Sequence, residues 1–324
     1  MSSGSQTVRQ LGETALIALG AAAIPFLPRA AVVALARVCG GAAFALARRE
    51  RRIGLANAGL ALGGTLDGRQ RAAVVRAAFR TFALVVLDLF WFRRCTRRRL
   101  AEHVRFDASF AAWFERRPCV AVTGHYGNWE IMGQAAALRG APPLSVAADF
   151  ENPAVNRLLQ TARQATGQRT VARRGAIKAL LRELRRGGRV ALLVDQNTLP
   201  EEGGMFVPFF GRPAPVSGAA ELLWRRTGAA VVQTYCVADE RGRYTLHAAV
   251  LAEGGAADLP PGEVTRRVAA ALEQTIRARP EQWLWMYKRW KIVPPDADPA
   301  LYPFYARPWA PAAEAGRRAA AAGA

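Results

Sequence analysis

The chain has 324 residues, 51% hydrophobic and 22% charged, with 45 Lys+Arg against 25 Asp+Glu and a net charge of +20. This composition excludes a disordered chain, and the length suits one large α/β domain with a substantial core, or two small ones. Four scattered cysteines (Cys39, Cys95, Cys119, Cys236) form no C-x-x-C pair, which excludes a disulfide framework or zinc knuckle and reads as reduced, mostly packed thiols.

The first 50 residues are apolar but interrupted. Residues 14–28 carry no charge, Arg29 follows, then 30–36, Arg37 and 38–47. Each uncharged run falls short of the roughly 18–20 residues of a spanning helix. Pro25 and Pro28 disfavour helix just before them, so the expectation is two short helices lying in a leaflet, with Arg29 and Arg37 reaching outward. A cleaved signal peptide competes, with Arg9 before the apolar core and small residues at 21–23. Glu13 at the start of that core weighs against it. Basic clusters at 48–52 and at Arg93, Arg94, Arg97, Arg98 and Arg99 adjoin apolar runs. That pattern fits a protein resting on anionic lipid, each near-surface cation adding about 1 kcal/mol. Simple solvated Arg-rich helix faces are the alternative.

Apolar residues at helical spacing (Val74, Val75, Ala78, Phe82, Val85, Val86, Leu89) predict a long helix over 68–92. A strand is expected at 118–123, a helix at 129–138 and a strand at 144–148. Asn152-Pro153 opens a helix over 152–166, and another at 175–186 stops at Gly187-Gly188. The continuous apolar run at 189–194 predicts a central parallel strand. A helix at 217–227, strands at 229–237 and 244–250, and a helix at 262–279 complete the pattern. This alternation predicts an α/β fold: a mixed, largely parallel central sheet flanked by helices. The expected divisions are a membrane-associated helical segment at 1–50, a catalytic domain at 51–308 and an Ala/Arg-rich frayed tail at 309–324.

No G-x-S-x-G, P-loop, G-x-G-x-x-G or H-E-x-x-H motif is present, which removes the commonest hydrolase, nucleotide and metalloprotease readings. Of three histidines, His103 has no partner in view and His247 lies within a strand. His125 differs, because Gly124-His-Tyr-Gly-Asn-Trp-Glu130 directly follows a strand, where open α/β sheets bind their ligands. Residues five apart on a continuous helix point about 140° away from each other. His125 and Glu130 therefore meet only if the chain turns, as Gly124, Gly127 and Asn128 allow. Asn128 suits an N-cap, with Glu130 in the first helical turn. A carboxylate on one imidazole nitrogen would make the other a base for a substrate hydroxyl.

This heptad resembles the H-x4-[DE] block of the lysophospholipid acyltransferase superfamily, and more narrowly the late acyltransferases of bacterial lipid A biosynthesis. Further blocks follow in the family's order: R-I-G-L-A-N-A-G-L-A-L at 52–62, Asp195-Gln-Asn197, the G-x-x-V-x-F-F-G-x-x-A segment at 204–214, and P-E-Q-W-L-W-M-Y-K-R-W-K at 280–291. The resemblance implies a glycerolphosphate-acyltransferase-like fold with an N-terminal helical membrane anchor. It also implies transfer of a fatty acyl chain from acyl-carrier protein or acyl-CoA to a hydroxyl of a lipid A precursor or related glycolipid. No cofactor, metal or nucleic acid is implied, and the place implied is the cytoplasmic face of a bacterial inner membrane.

Carried over by position, His125 is the base and Glu130 its orienting carboxylate, with direct attack on the thioester. Backbone N–H groups around Gly127 and Asn128, with a cationic side chain, would hold the oxyanion. Arg163 matches the family's Arg-x-x-x-Gly position for phosphate or oxyanion contact, or is a solvated helix residue. Asp195 would orient a basic group or cap its loop. Phe206, Phe209 and Phe210 would line the acyl groove or pack in the core. Trp283, Trp285 and Trp290, with Lys288 and Arg289, would form an interfacial belt or headgroup clamp, or core. The sequence departs from the family at Tyr287, where His is common, at Asn197, where an acidic residue is frequent, and at Val216, where Thr is usual. A basic, non-catalytic module binding membrane or nucleic acid is the alternative reading.

Overall fold

A computed structural model describes residues 3–147, 152–255 and 259–310, with side chains from residue 12 onward. The expected tail beyond 310, and the last residue of the strand expected at 144–148, lie outside the described residues. The N-terminal part is helical: α1 (Ser3–Ala23), a 3-10 turn at Ile24–Phe26, α2 (Arg29–Leu46), α3 (Arg48–Leu62), α4 (Gly68–Trp91) and α5 (Thr96–His103). Pro25 and Pro28 separate α1 from α2, and α4 opens on a reciprocal Asp67–Gln70 capping box.

Helix α2 is apolar and long enough to cross a membrane by length and composition. It lies, however, along α4. Val32, Val33, Ala36 and Gly40 form its buried face, and a Cβ at Gly40 would come 2.5 Å from the Arg80 Cα, so only glycine permits this approach. Arg29 corrects the sequence expectation: instead of reaching outward it turns into the protein, ion-paired with buried Asp88 of α4 and stacked 4.7 Å from the Trp91 ring centroid. Removing either partner of such a buried pair leaves an uncompensated charge, typically costing about 3–5 kcal/mol.

The remaining elements are β1 (Val104–Phe106), α6 (Ala111–Glu115), β2 (Cys119–Thr123), α7 (Trp129–Leu138), β3 (Leu144–Ala147), α8 (Pro153–Gln164), β4 (Arg169–Ala172), α9 (Ala176–Arg185), β5 (Arg189–Leu193), β6 (Gly204–Phe209), β7 (Arg212–Ser217), α10 (Ala219–Thr227), β8 (Ala230–Ala238), β9 (Tyr244–Ala252), α11 (Glu263–Ala278), β10 (Ile292–Val293) and β11 (Arg307–Pro308). Seven strands form one sheet in the order β1-β9-β8-β2-β5-β3-β4. Strands β8, β2, β5, β3 and β4 run parallel, β9 is antiparallel to β8, and β1 pairs parallel with β9. The sheet is mixed and largely parallel, as expected. Every residue of β2 is buried, which explains its uninterrupted apolar sequence.

Register places Thr123 opposite Leu193, so β2 and β5 end side by side. That adjacency positions the site. Strands β6 and β7 pair as a separate antiparallel hairpin, packed with Trp283, Trp285 and Trp290 in a second core cluster. Of the cysteines, Cys119 and Cys236 are buried, and burial pushes both thiols up to about 12, whereas Cys39 and Cys95 are exposed.

Candidate active site

After β2 the chain turns through residues 124–128 into α7. The turn is tied to the C-terminal segment: Gly127 N–H donates to the Gln282 carbonyl at 2.9 Å, and Leu284 N–H to the His125 carbonyl at 3.1 Å. Gly127 has φ +56°, and a Cβ there would stand 1.6 Å from the Cys236 carbonyl oxygen, so no other residue fits. Asn128 caps α7 as expected, its Oδ1 accepting from Ile131 N–H at 3.1 Å.

This turn presents His125 to Asp195, which follows the neighbouring strand β5. His125 Nδ1 lies 2.8 Å from Asp195 Oδ1, and the His125 backbone N–H donates to Oδ2 at 2.7 Å. Trp283 Nε1 also donates to Oδ2, at 3.0 Å. Burial works against the Asp195 charge, yet His125 and these hydrogen bonds outweigh it and hold the carboxyl below its ordinary 3.8. An ionised Asp195 can only accept, so Nδ1 carries the proton and Nε2 keeps its lone pair for a substrate. Burial likewise opposes the imidazolium, but the Asp195 charge and hydrogen bond, with Glu130 behind them, raise His125 above its ordinary 6.5. The Trp129 ring packs edge-on against the imidazole, with centroids 4.8 Å apart.

The carboxylate expected at His125 is therefore corrected. Glu130 instead takes a bidentate pair from Arg163, with Nε at 3.0 Å and Nη2 at 2.6 Å, so Arg163 is neither a free phosphate ligand nor a solvated residue. The chain does turn between His125 and Glu130, but it aims the imidazole at the end of β5, while the first turn of α7 aims Glu130 at α8. Asp195, read from sequence as orienting a basic group or capping its loop, hydrogen-bonds the His125 imidazole and backbone N–H.

Other expectations move too. The Gly127 N–H is spent on the Gln282 carbonyl and does not remain to hold an oxyanion. Because the Asn128 side chain and carbonyl take the N–H groups of Ile131 and Met132, the first-turn donors without an intrahelical acceptor are those of Trp129 and Glu130. Phe209 and Phe210 pack against Trp283, Trp285 and Trp290 in core, away from the cavity described below. Arg289 is fully buried rather than offered to a headgroup. Its Nη1 donates to Asn197 Oδ1 and the Pro215 carbonyl, and burial lowers its guanidinium to about 10. Trp283, expected in a belt, a clamp or the core, is buried in the core and is the unforeseen third donor to Asp195. Asn197 and Tyr287, two departures from the family pattern, are partners: Asn197 N and Nδ2 both donate to the Tyr287 hydroxyl.

Beneath α7 lies a mostly apolar cavity. Trp129, Glu130 and Arg163 line it beside His125. Ala121, Met132 and Ala136 form its walls, and Phe110 and Trp113 line it where β2 and β5 begin, the Trp113 carbonyl accepting from Arg189 at 2.9 Å. A mostly apolar lining of this kind suits a small hydrophobic ligand or part of a hydrocarbon tail.

A histidine–carboxylate pair at the carboxyl ends of parallel strands, with an apolar cavity beside it, is an arrangement able to support proton transfer next to an apolar group. A family model described as bacterial lipid A biosynthesis acyltransferase matches residues 2–292, and the chain belongs to that family; it is an acyltransferase. It is similar to a lipid A biosynthesis palmitoleoyltransferase of Escherichia coli (strain K12), 24% identical over 234 residues, 70% of this chain and 74% of that one. It also resembles a phosphatidylinositol mannoside acyltransferase of Mycobacterium tuberculosis (strain ATCC 25618 / H37Rv), 26% identical over 188 residues, 57% of each chain.

Proposed function

We propose that the protein transfers a fatty acyl chain from a thioester donor, acyl-carrier protein or acyl-CoA, to a hydroxyl of a membrane glycolipid, a lipid A precursor or a mannosylated lipid. The observation that carries this reading is the Asp195-bound His125 standing beside a mostly apolar cavity. His125 Nε2 takes the proton of the acceptor hydroxyl, and the oxygen attacks the thioester carbonyl. The N–H groups of Trp129 and Glu130, at the positive end of α7, receive the oxyanion. Collapse forms the new ester and expels the thiolate, which recovers its proton from the His125 imidazolium. The acyl tail lies under α7, where the ion-paired Glu130 and Arg163 supply the polar part of the lining.

The N-terminal helices support placement at a membrane surface, proposed as the cytoplasmic face of the inner membrane. Leu16, Leu19, Phe26, Val38 and Leu46 are all at least 65% exposed, an unusual series for water. Arg94 sits over the Phe26 ring, 4.5 Å from its centroid, where headgroup meets apolar layer. With α2 laid along α4 and tied by Arg29, these residues suit insertion in the plane of one leaflet rather than a crossing.

The test is transfer from palmitoyl-CoA or an acylated carrier protein to a glycolipid acceptor by the intact chain and by His125→Ala. Loss of about 10²–10⁴-fold, with the variant still folded, is the expected result for a general base. Undiminished transfer by the variant overturns the reading.

A further inference from the structure

A second buried carboxylate stands under the same turn. Asp88, 1% exposed, accepts from both terminal nitrogens of Arg29, with Nη2 at 3.2 Å, from the Tyr244 hydroxyl, and from Asn128 Nδ2 at 3.2 Å. The Tyr244 hydroxyl also accepts from Asn128 Nδ2, at 3.2 Å. Three segments distant in sequence thus converge on one carboxylate: the start of α2, the start of β9 and the cap of α7. The Asn128 amide is thereby fixed in direction. Its nitrogen is committed to Asp88 and Tyr244, and its oxygen is left to cap Ile131. Rotated by half a turn, the amide would set its oxygen against the carboxylate and withdraw the cap.

A cap alone does not require this arrangement, since a serine hydroxyl serves an N-terminus about as well. Nor is a buried ion pair by itself good evidence of stabilisation, because apolar replacements often serve equally well. What the anion adds is orientation. We propose that Asp88 is a positioning residue for the reaction: through Asn128 it sets the start of α7, and so the Trp129 and Glu130 donors and the His125 turn, while Arg29 compensates its charge. This inference rests on the acyl-transfer reading for its consequence but not for its geometry. Arg29 belongs to α2, so that helix is tied to the carboxylate that fixes the Asn128 amide.

Two variants of the full chain test this. Asn128→Ser keeps a good cap and removes the amide nitrogen; Asp88→Leu with Arg29→Met removes both charges together. In each, thermal melting should stay near that of the parent, while amide deuterium exchange over 124–132 rises about tenfold as the turn loosens. The rate constant kcat should fall about 10²-fold, the scale of a small misplacement of reacting groups. KM for the acyl donor should stay within about threefold, since the cavity is untouched. Parent-like exchange and kcat in Asn128→Ser overturns the inference, whether or not the double variant folds. Exchange is read without substrate, so absence of acyl transfer in the unaltered chain would overturn the proposed reaction and leave the positioning result to stand or fall by itself.

Discussion

His125 and Asp195 are 70 positions apart and meet because two parallel strands end together. Glu130, five positions away, faces Arg163 instead. Replacing Asp195 by Asn should cost about 10²–10⁴ in kcat, the scale of a general base's contribution. Glu130→Gln should cost less, chiefly by leaving Arg163 without its partner. The reverse order would return Glu130 to the imidazole. The pH behaviour follows from the same pair. His125 must be neutral to act as base, and its pKa is raised above 6.5, so kcat/KM should fall as pH drops through that raised value. Without the Asp195 carboxylate, burial opposes the imidazolium with only the weaker field of Glu130 to offset it, and the acid limb of the Asp195→Asn variant should move to lower pH. Stability runs the other way. A raised histidine gives its full stabilisation below 6.5 and loses it as pH rises through the folded pKa, whereas Asp195, held below 3.8, contributes above 3.8 and loses its share as pH falls.

Helix α7 is where sequence and structure agree most closely: 129–138 was legible from its cap, its first-turn acid and its apolar content. The helices over 68–92 and 262–279 were equally readable, because periodicity over several turns is a strong signal. Strand β4, with the sequence Arg-Thr-Val-Ala, and the three-residue β1 were too short to stand out from loop. The β6–β7 hairpin was not among the expected strands: Pro208, Pro213 and Pro215 mask a strand pattern, and prolines are accommodated only in an isolated, edge-like ribbon of this kind. The candidate site was half legible. His125, Asn128 and Asp195 could be singled out, but which acid served the imidazole depended on strand order, and no local pattern encodes that. A parallel sheet gathers the ends of its strands, so the acid closing another continuous apolar strand was the available clue. At this scale the cavity is testable. Ala136→Phe, on the inner face of α7, should shift transfer toward shorter acyl chains by at least about tenfold, read from products of donors of graded length. An unchanged length profile would place the tail elsewhere.

Across the whole molecule, the excess of 20 positive charges and the exposed apolar series of α1 and α2 act together. Vesicles containing anionic lipid should bind the chain more tightly than neutral ones. Raising ionic strength from about 0.1 M to 1 M cuts the Debye length from about 10 to 3 Å and should weaken that binding without abolishing it. Leu16→Asp, Leu19→Asp and Phe26→Asp together should remove the salt-resistant part; sedimentation with vesicles decides, and retained binding would rule this face out. The hydrogen-bonded centre also carries a consequence for how the protein comes into being. Its imidazole, its acid and the indole that steadies the acid lie at positions 125, 195 and 283, on segments joined only by long-range pairing. A chain emerging from the ribosome therefore cannot complete this hydrogen-bonded centre until the segment carrying Trp283 has been made and packed into place. On the proposed chemistry, the reaction centre is finished only when most of the chain is.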